Sequence, residues 1–196
     1  MTSRLVLRFR DGSLQDETAV FSQRGHFRLV SDHLIQRGPS FPYPLDVAID
    51  AASGRVAVRH GEGGGAEKVI EKRMELPSDL ANGMVLTLLK NIAPSGTPTT
   101  VSMVVAAPKP RLVHLVITGA GDEKFSVGPA PHRAARFNVR VEIGGIAGFI
   151  APLIGKQPKD TAVWIVEGEA PGFVRSEGPF YAGGPLWRIE LAAPDP

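Results

Sequence analysis

Five histidines are the side chains of this sequence best suited to bind a metal or to transfer a proton near neutral pH. Their spacing lacks the H-x-H and H-E-x-x-H patterns that bring two imidazoles to one metal ion. Cysteine is absent, which excludes thiolate ligands, cysteine nucleophiles and disulfides. We therefore predict no metal site and no cofactor. The five histidines are His26, His33, His60, His114 and His132.

The carboxylates are poorly spaced for acid–base catalysis. Adjacent residues of a strand point to opposite faces, so Asp32 and His33 cannot act as a base with its orienting carboxylate. Asp46 and Asp50 would share a strand face about 13 Å apart, which is farther than the two carboxylates of a glycosidase. No G-x-S-x-G nucleophile motif occurs. We predict no catalytic residue and favour a protein that is not an enzyme.

Two glycine-rich segments resemble nucleotide-binding loops only in part. Residues 61–66 match G-x-G-x-x-A after a strand-like run, but the helix that must follow is missing. Gly155 and Lys156 precede Gln157, where a phosphate loop requires Ser or Thr. We interpret the first segment as a hairpin loop and predict no nucleotide cofactor.

The elements that would position any site are mostly short strands. Apolar and polar residues alternate along 4–10, and glycine turns at Gly12 and Gly25 indicate consecutive antiparallel hairpins. Asp16 and Glu17, at the start of a strand, are expected to be solvated. Comparable runs through the rest of the sequence bring the expected total to about eleven or twelve strands.

One segment has helical spacing instead. Ser78 or Asp79 can cap the first turn, and Leu80, Met84 and Leu88 fall on one face of a helix over about 78–92. The predicted fold is mainly β (α+β), with a strongly bent antiparallel sheet or open half barrel wrapped around this one long helix. The length of 196 residues fits a single domain over 1–196.

The charge balance argues against nucleic acid as a partner. The chain has 22 Lys and Arg against 20 Asp and Glu, and only 2 Trp and 2 Tyr on which bases could stack. Its start runs directly into alternating Leu5 and Leu7, without the apolar core of a signal peptide. We expect no leader in this chain. A periplasmic or secreted location would need one that was removed or left out.

Residues 143–155 form an apolar segment of thirteen residues without a charge. It is shorter than the roughly 20 apolar residues that span a bilayer, so no transmembrane segment is predicted. One interpretation is a buried strand end and loop that close the mouth of the barrel. The other is an exposed lip through which Phe149, Ile150 and Leu153 touch a lipid or a membrane surface.

Several segments together resemble a group of uncharacterised bacterial proteins without a known function. The resemblance implies a fold of the lipoprotein-carrier type, a half barrel whose concave side holds a helix and an apolar ligand. It concerns architecture, and fold does not imply function. The segments are RFRDGS (8–13), DET (16–18), FSQRG (21–25), LPSDLANG (76–83), GKQP (155–158) and GPLW (184–187).

Two functions stay open at this point. The first is a non-enzymatic binding or carrier module, with a lipid or other apolar ligand held between sheet and helix by Leu80, Met84 and Leu88. For these residues the competing interpretation is a filled core. The second function is a structural or protein-interaction domain without a small-molecule ligand.

Overall fold

The computed structural model describes residues 1–61, 67–106, 109–127, 130–143 and 159–191. Within them the chain forms twelve strands and one short helix. These are β1 (Thr2–Arg8), β2 (Leu14–Arg24), β3 (His26–Arg37), β4 (Leu45–Asp50), β5 (Arg55–His60), β6 (Lys68–Arg73), α1 (Val85–Leu89), β7 (Thr99–Val105), β8 (Arg111–Val127), β9 (Ala130–Glu142), β10 (Thr161–Val166), β11 (Gly172–Gly178) and β12 (Trp187–Glu190).

The strands form two six-stranded sheets, each in sequence order. The first has the order β1-β2-β3-β4-β5-β6 and the second β12-β11-β10-β9-β8-β7. Neighbouring strands of the first sheet all pair antiparallel. The antiparallel sheet that the alternating pattern predicted is confirmed, and the first hairpin turns at Gly12, as expected.

The chain divides into two compact units, and neither is continuous in sequence. The first unit comprises Met1–Val85 and Ser102–Leu112, and the second comprises Leu86–Val101 and Val113–Pro196. The chain therefore passes from one unit to the other three times. The prediction of a single domain over 1–196 stays a prediction.

The core of the first unit lies on one face of the first sheet, which we call the buried face. Strand alternation points every second residue of β4 and β5 to this face. Two residues of the segment that follows β6, Leu80 and Met84, pack against it and are each 1% exposed. The buried cluster contains Ala19, Phe21, Leu29, Val47, Ile49, Val56, Val58, Leu80, Met84 and Val104.

The second unit buries apolar residues of β8, β9 and β10. Val163 pairs with Phe137 across β10 and β9, and Ile165 pairs with Ala135, so these four side chains share a face. Each is at most 3% exposed. Register shifts interrupt the pairing between Gly119 and Asp122 and between Trp164 and Ile165.

The predicted fold around one long helix is wrong. Strands account for 60% of the described residues and helix for 3%, and two sheets replace the single bent sheet. Only Val85–Leu89 of the expected 78–92 segment is helical.

The helix fails because its first half bonds to another strand. Asp79 and Ala81 exchange backbone hydrogen bonds with Ser102 of β7. Gly83 adopts φ +64°, a left-handed conformation that a right-handed helix cannot contain. The spacing of Leu80 and Met84 reflects two turns that bury both side chains.

Candidate functional site

Two carboxyl side chains lie together on the buried face of the first sheet. In the pairing of β2 and β3, Asp32 is opposite Ala19, and Glu17 is opposite Leu34. Glu17 and Asp32 are therefore diagonal neighbours on one face, within reach of each other. Asp32 is only 3% exposed, and Glu17 is half-buried.

Gly83 covers this pair of carboxyls. Its backbone N–H donates a hydrogen bond to the Glu17 carboxylate. A Cβ at this position would lie 2.5 Å from Asp32 Oδ1 and 2.7 Å from the Ala19 Cβ. Oδ1 of Asp32 is buried and has no hydrogen-bond partner among the described residues. The site thus holds a solvent-excluded carboxyl oxygen against a bare glycine.

The surroundings favour the protonated forms of both acids. Burial, and to a smaller extent the nearby charge of Glu17, raise the pKa of Asp32 to about 8. Burial also raises the pKa of Glu17, although the Gly83 N–H opposes this by stabilising its charged form. The pair therefore retains a proton at neutral pH. It can bind and release protons, but neither cavity described below is lined by it.

A bulge explains why sequence alternation misses this pair. Val20 pairs with Ser31 and Phe21 with Leu29, so Val30 is an extra residue in β3. Strict alternation from Leu29 would turn Ser31 inward, whereas the bulge turns Asp32 inward. The expectation that Glu17 is solvated is also wrong, because Glu17 lies on the same buried face. No local sequence signal marks this bulge.

The prediction that Asp32 and His33 point to opposite faces of one strand is confirmed. His33 lies on the opposite face of β3, where its Nε2 is 3.0 Å from Asp46 Oδ1. The two neighbours therefore belong to different environments. They do not act as a base with its orienting carboxylate.

A buried polar row lies beside the carboxyls. Gln36 donates to Gln15 at 2.8 Å, and both side chains are buried. His60 lies in the same row, two strands away from Gln36. The centre of its ring is 5.6 Å from that of the Tyr43 ring. Its Nε2 is buried without a hydrogen-bond partner among the described residues. The carboxyl pair is thus part of a wider polar region on this face.

The second unit contains a cavity of about 300 Å³. Its walls come from the end of α1 with the loop after it, from β9 and β10, and from the turn after β10. The deepest side chains are apolar and buried, whereas Lys90 and Glu167 are exposed at the rim. The lining residues are Leu89, Lys90, Asn91, Ile92, Ala93, Pro94, Ala135, Phe137, Ile165, Glu167, Gly168 and Pro171.

Local backbone contacts fix the wall formed by residues 90–94. Asn91 ends α1, because its backbone N–H donates to Leu88 and its side-chain amide donates to the Thr87 carbonyl. The Pro94 carbonyl then lies so close to Gly119 of β8 that any Cβ there would overlap it. A glycine in β8 is therefore needed for this loop to approach the sheet.

The cavity is lined mostly by apolar side chains, with a few polar ones among them. Its volume is near the lower end of the range for ligand pockets, which are mostly apolar with a few polar groups. Ala135, Phe137 and Ile165 form the apolar floor. Lys90 and Glu167 offer one charge of each sign at the rim. Such a site can hold an apolar body with a polar end.

A second cavity, of about 510 Å³, lies in the first unit. It is formed by the turn 51–54 and by residues 73–76. Arg73 Nε donates to the Ser53 carbonyl, which ties these two segments together at 3.0 Å. Main chain and mixed side chains line this groove, so it lacks the apolar floor of the other cavity.

An arginine–tryptophan cluster stabilises the second sheet. The guanidinium carbon of Arg175 lies 3.8 Å from the centre of the Trp164 ring, and that of Arg136 lies 5.3 Å from it. Glu123 accepts hydrogen bonds from both arginines. Cation–π contacts and ion pairs together hold the cluster, so we assign it a structural role.

The residues predicted to bind a ligand separate between the two units. Leu80 and Met84 lie in the core of the first unit. Leu88 is half-buried on α1 and belongs to the second unit. Phe149, Ile150 and Leu153, the predicted lip, lie outside the described residues. The cavity of the second unit was not predicted, because its walls meet only through long-range packing.

Two further searches concern metals and membranes. The described ranges contain no group of three or more His, Cys, Asp and Glu that could hold a metal ion. In the same ranges, every helix is too short or too polar to cross a bilayer.

Comparison with protein families, curated proteins and solved structures found no match. The resemblance to uncharacterised bacterial proteins and to lipid carriers therefore stays a prediction.

Proposed function

We propose that the chain is a non-enzymatic binding or carrier module for a small apolar ligand, which occupies the cavity of the second unit. The observation that supports this is the apolar floor of Ala135, Phe137 and Ile165 beneath a rim with Lys90 and Glu167. A lipid fragment or another compact apolar molecule with one polar end suits this shape.

Binding of the dye 1-anilinonaphthalene-8-sulfonate tests the proposal. This dye has an apolar ring system and one sulfonate, and its fluorescence rises in apolar sites. We expect saturable binding of one dye per chain. Native mass spectrometry of the purified protein, before and after organic extraction, then identifies any apolar molecule carried from the cell.

Two variants locate the dye. Ala135→Leu adds three carbon atoms to the floor and should weaken dye binding at least tenfold. Ala93→Trp acts at the exposed rim, so it obstructs the cavity without changing the core. Ala134→Leu and Ala182→Trp are the matched controls: Ala134 is as buried as Ala135, Ala182 is exposed like Ala93, and neither lines the cavity. Unchanged affinity in folded Ala135→Leu and Ala93→Trp would contradict the proposal.

The alternative function, a protein-interaction domain, has one observation in its favour. β12 is the last strand of the second sheet, and Leu186 and Leu191 beside it are 57% and 51% exposed. An edge strand flanked by exposed leucines can pair with another chain. Absence of any saturable dye binding, together with a native mass above that of one chain, would favour this function.

A further inference from the structure

We propose that Glu17 and Asp32 form a proton-dependent latch, which holds segment 79–84 on the buried face of the first sheet while the pair retains a proton. This inference concerns the first unit and does not depend on the proposed ligand. Its basis is the direct contact of both carboxyls with Gly83, one through a hydrogen bond and one through close packing.

The latch adds to a limited set of contacts that hold the segment. Ala81 N–H donates to the Ser102 carbonyl at 2.8 Å, and Ser102 N–H donates to the Asp79 carbonyl at 3.2 Å. The side chain of Asn82 accepts from Val104 N–H at 2.8 Å and donates to the Val104 carbonyl at 3.0 Å. The segment forms turns rather than a helix, so these contacts determine whether it stays in place.

A pair with one proton and a fully ionised pair have opposite effects on Gly83. With one proton on the pair, Asp32 Oδ1 can stay dry beneath the glycine at little electrostatic cost. With both acids ionised, two like charges lie close together in a poorly solvated site, and Oδ1 lacks a donor. Lifting Gly83 would admit water to both oxygens. Ionisation therefore favours the lifted state.

Few other charges can offset those of the pair. On the buried face, the cation that shares a row with Asp32 is Lys72, three strands and about 14 Å away. Its Nζ lies 3.4 Å from the Pro110 carbonyl. Within segment 79–84 the titratable side chain is the exposed Asp79. The residues of β7 that contact the segment, Ser102 and Val104, are uncharged. The titratable side chains on the opposite face of β1 to β4 near the pair are Arg4, Arg8, Asp16, His33, Asp46 and Asp50.

Amide hydrogen exchange between pH 5 and pH 9 tests the latch. Protection factors, which correct for the intrinsic pH dependence of exchange, are measured by NMR for the Ala81 and Val104 amides. In the wild type we expect them to fall about tenfold or more up to pH 8 and then to level off, since one pKa unit corresponds to a tenfold change. Core amides of β4 and β5 should retain higher protection throughout.

Asp32→Asn keeps the shape of the side chain and removes its ionisation. We expect the fall in its Ala81 and Val104 protection to be smaller than in the wild type and to end at lower pH, because only Glu17 still ionises. The control Asp46→Asn, on the opposite face of the sheet, should behave like the wild type. Glu17→Gln removes the partner's charge and should move the levelling point to lower pH. A flat wild-type profile, or an Asp32→Asn profile identical to the wild type, would overturn the proposal.

Discussion

Gly83 shows how one residue without a side chain decides a local structure. It has φ +64°, and the space where its Cβ would lie is occupied by Asp32 and Ala19. An added methyl group would meet a left-handed backbone penalty of about 1–2 kcal/mol and an overpacking penalty of about 1–3 kcal/mol. We therefore expect Gly83→Ala to lower the free energy of unfolding by about 2–5 kcal/mol, measured by urea denaturation.

Gly12→Ala is the matched control for this prediction. Gly12 has φ +84°, and a Cβ there would meet no described atom within 4 Å. In this variant the free energy of unfolding should fall only by the left-handed backbone penalty, about 1–2 kcal/mol. Equal losses in the two variants would show that contact with the carboxyl pair contributes nothing at Gly83.

The same pair predicts how global stability depends on pH. Burial raises the pKa of Asp32 from 3.8 to about 8, so the folded chain binds more protons than the unfolded chain between these values. The stability contributed by protonated Asp32 is therefore complete below about pH 4 and is lost as the pH rises toward 8. Asp32→Asn should remove this decline and be more stable than the wild type at pH 8.

Asp50 provides the control of opposite sign. Hydrogen bonds from Ser53 and Ala52 lower its pKa below the ordinary value of 3.8. Its stabilising effect is present above that value and is lost as the pH falls. Chemical denaturation at several pH values should show Asp50→Asn losing stability near neutral pH, without the gain of Asp32→Asn. A gain in both variants would contradict the assignment to Asp32.

At the scale of elements, an asparagine side chain replaces backbone pairing. Asn82 forms two hydrogen bonds with the backbone of Val104, as a partner strand would, and is 9% exposed. Asn82→Ala leaves a buried N–H and a buried carbonyl without partners, at about 1–3 kcal/mol each. We expect a loss of about 2–6 kcal/mol in unfolding free energy.

Asn91→Ala is the comparison for Asn82→Ala, since Asn91 also donates to a backbone carbonyl, that of Thr87, but is exposed. Water can replace its bond, so the loss should stay within about 0.5 kcal/mol. If thermal or urea denaturation shows comparable losses in unfolding free energy for the two variants, the hydrogen bonds of Asn82 stabilise the fold no more than an exposed hydrogen bond does.

Strands could be predicted here because their signal is local. Alternation and glycine turns identify β2 and β3 from the sequence, and the structure agrees. No local pattern could decide whether residues 78–92 form a helix. Apolar residues at Leu80 and Met84 fit helical spacing, but the contacts that override it come from β7, some twenty residues later. The bulge at Val30 is likewise set by packing and not by a turn residue.

At the scale of the whole molecule, the discontinuous units predict how fragments behave. Residues 102–112 complete the first unit, since Val104 lies in its core and Ser102 pairs with segment 79–81. We expect fragment 1–112 to give dispersed NMR signals and cooperative unfolding. Fragment 1–85 lacks these partners and should show neither. Cooperative unfolding of fragment 1–85 would show that the later stretch is dispensable.

The cavity of the second unit lay beyond sequence prediction for a related reason. Its walls come from residues 89–94, 135–137 and 165–171, which no local pattern connects. Gly119 permits the close approach of Pro94, yet in the sequence it is one of 22 glycines. Composition and spacing excluded several chemistries, but the site itself depends on contacts between distant residues.

The order of synthesis gives the discontinuous first unit a further consequence. On the ribosome, the six strands of its sheet are complete at Arg73, but Val104 and the partners of segment 79–84 are made later. At about 5–20 residues per second, the 39 residues from Arg73 to Leu112 (112 − 73) take roughly 2–8 s. During that interval the nascent chain exposes an unfinished apolar sheet face, which is the kind of surface that chaperones bind.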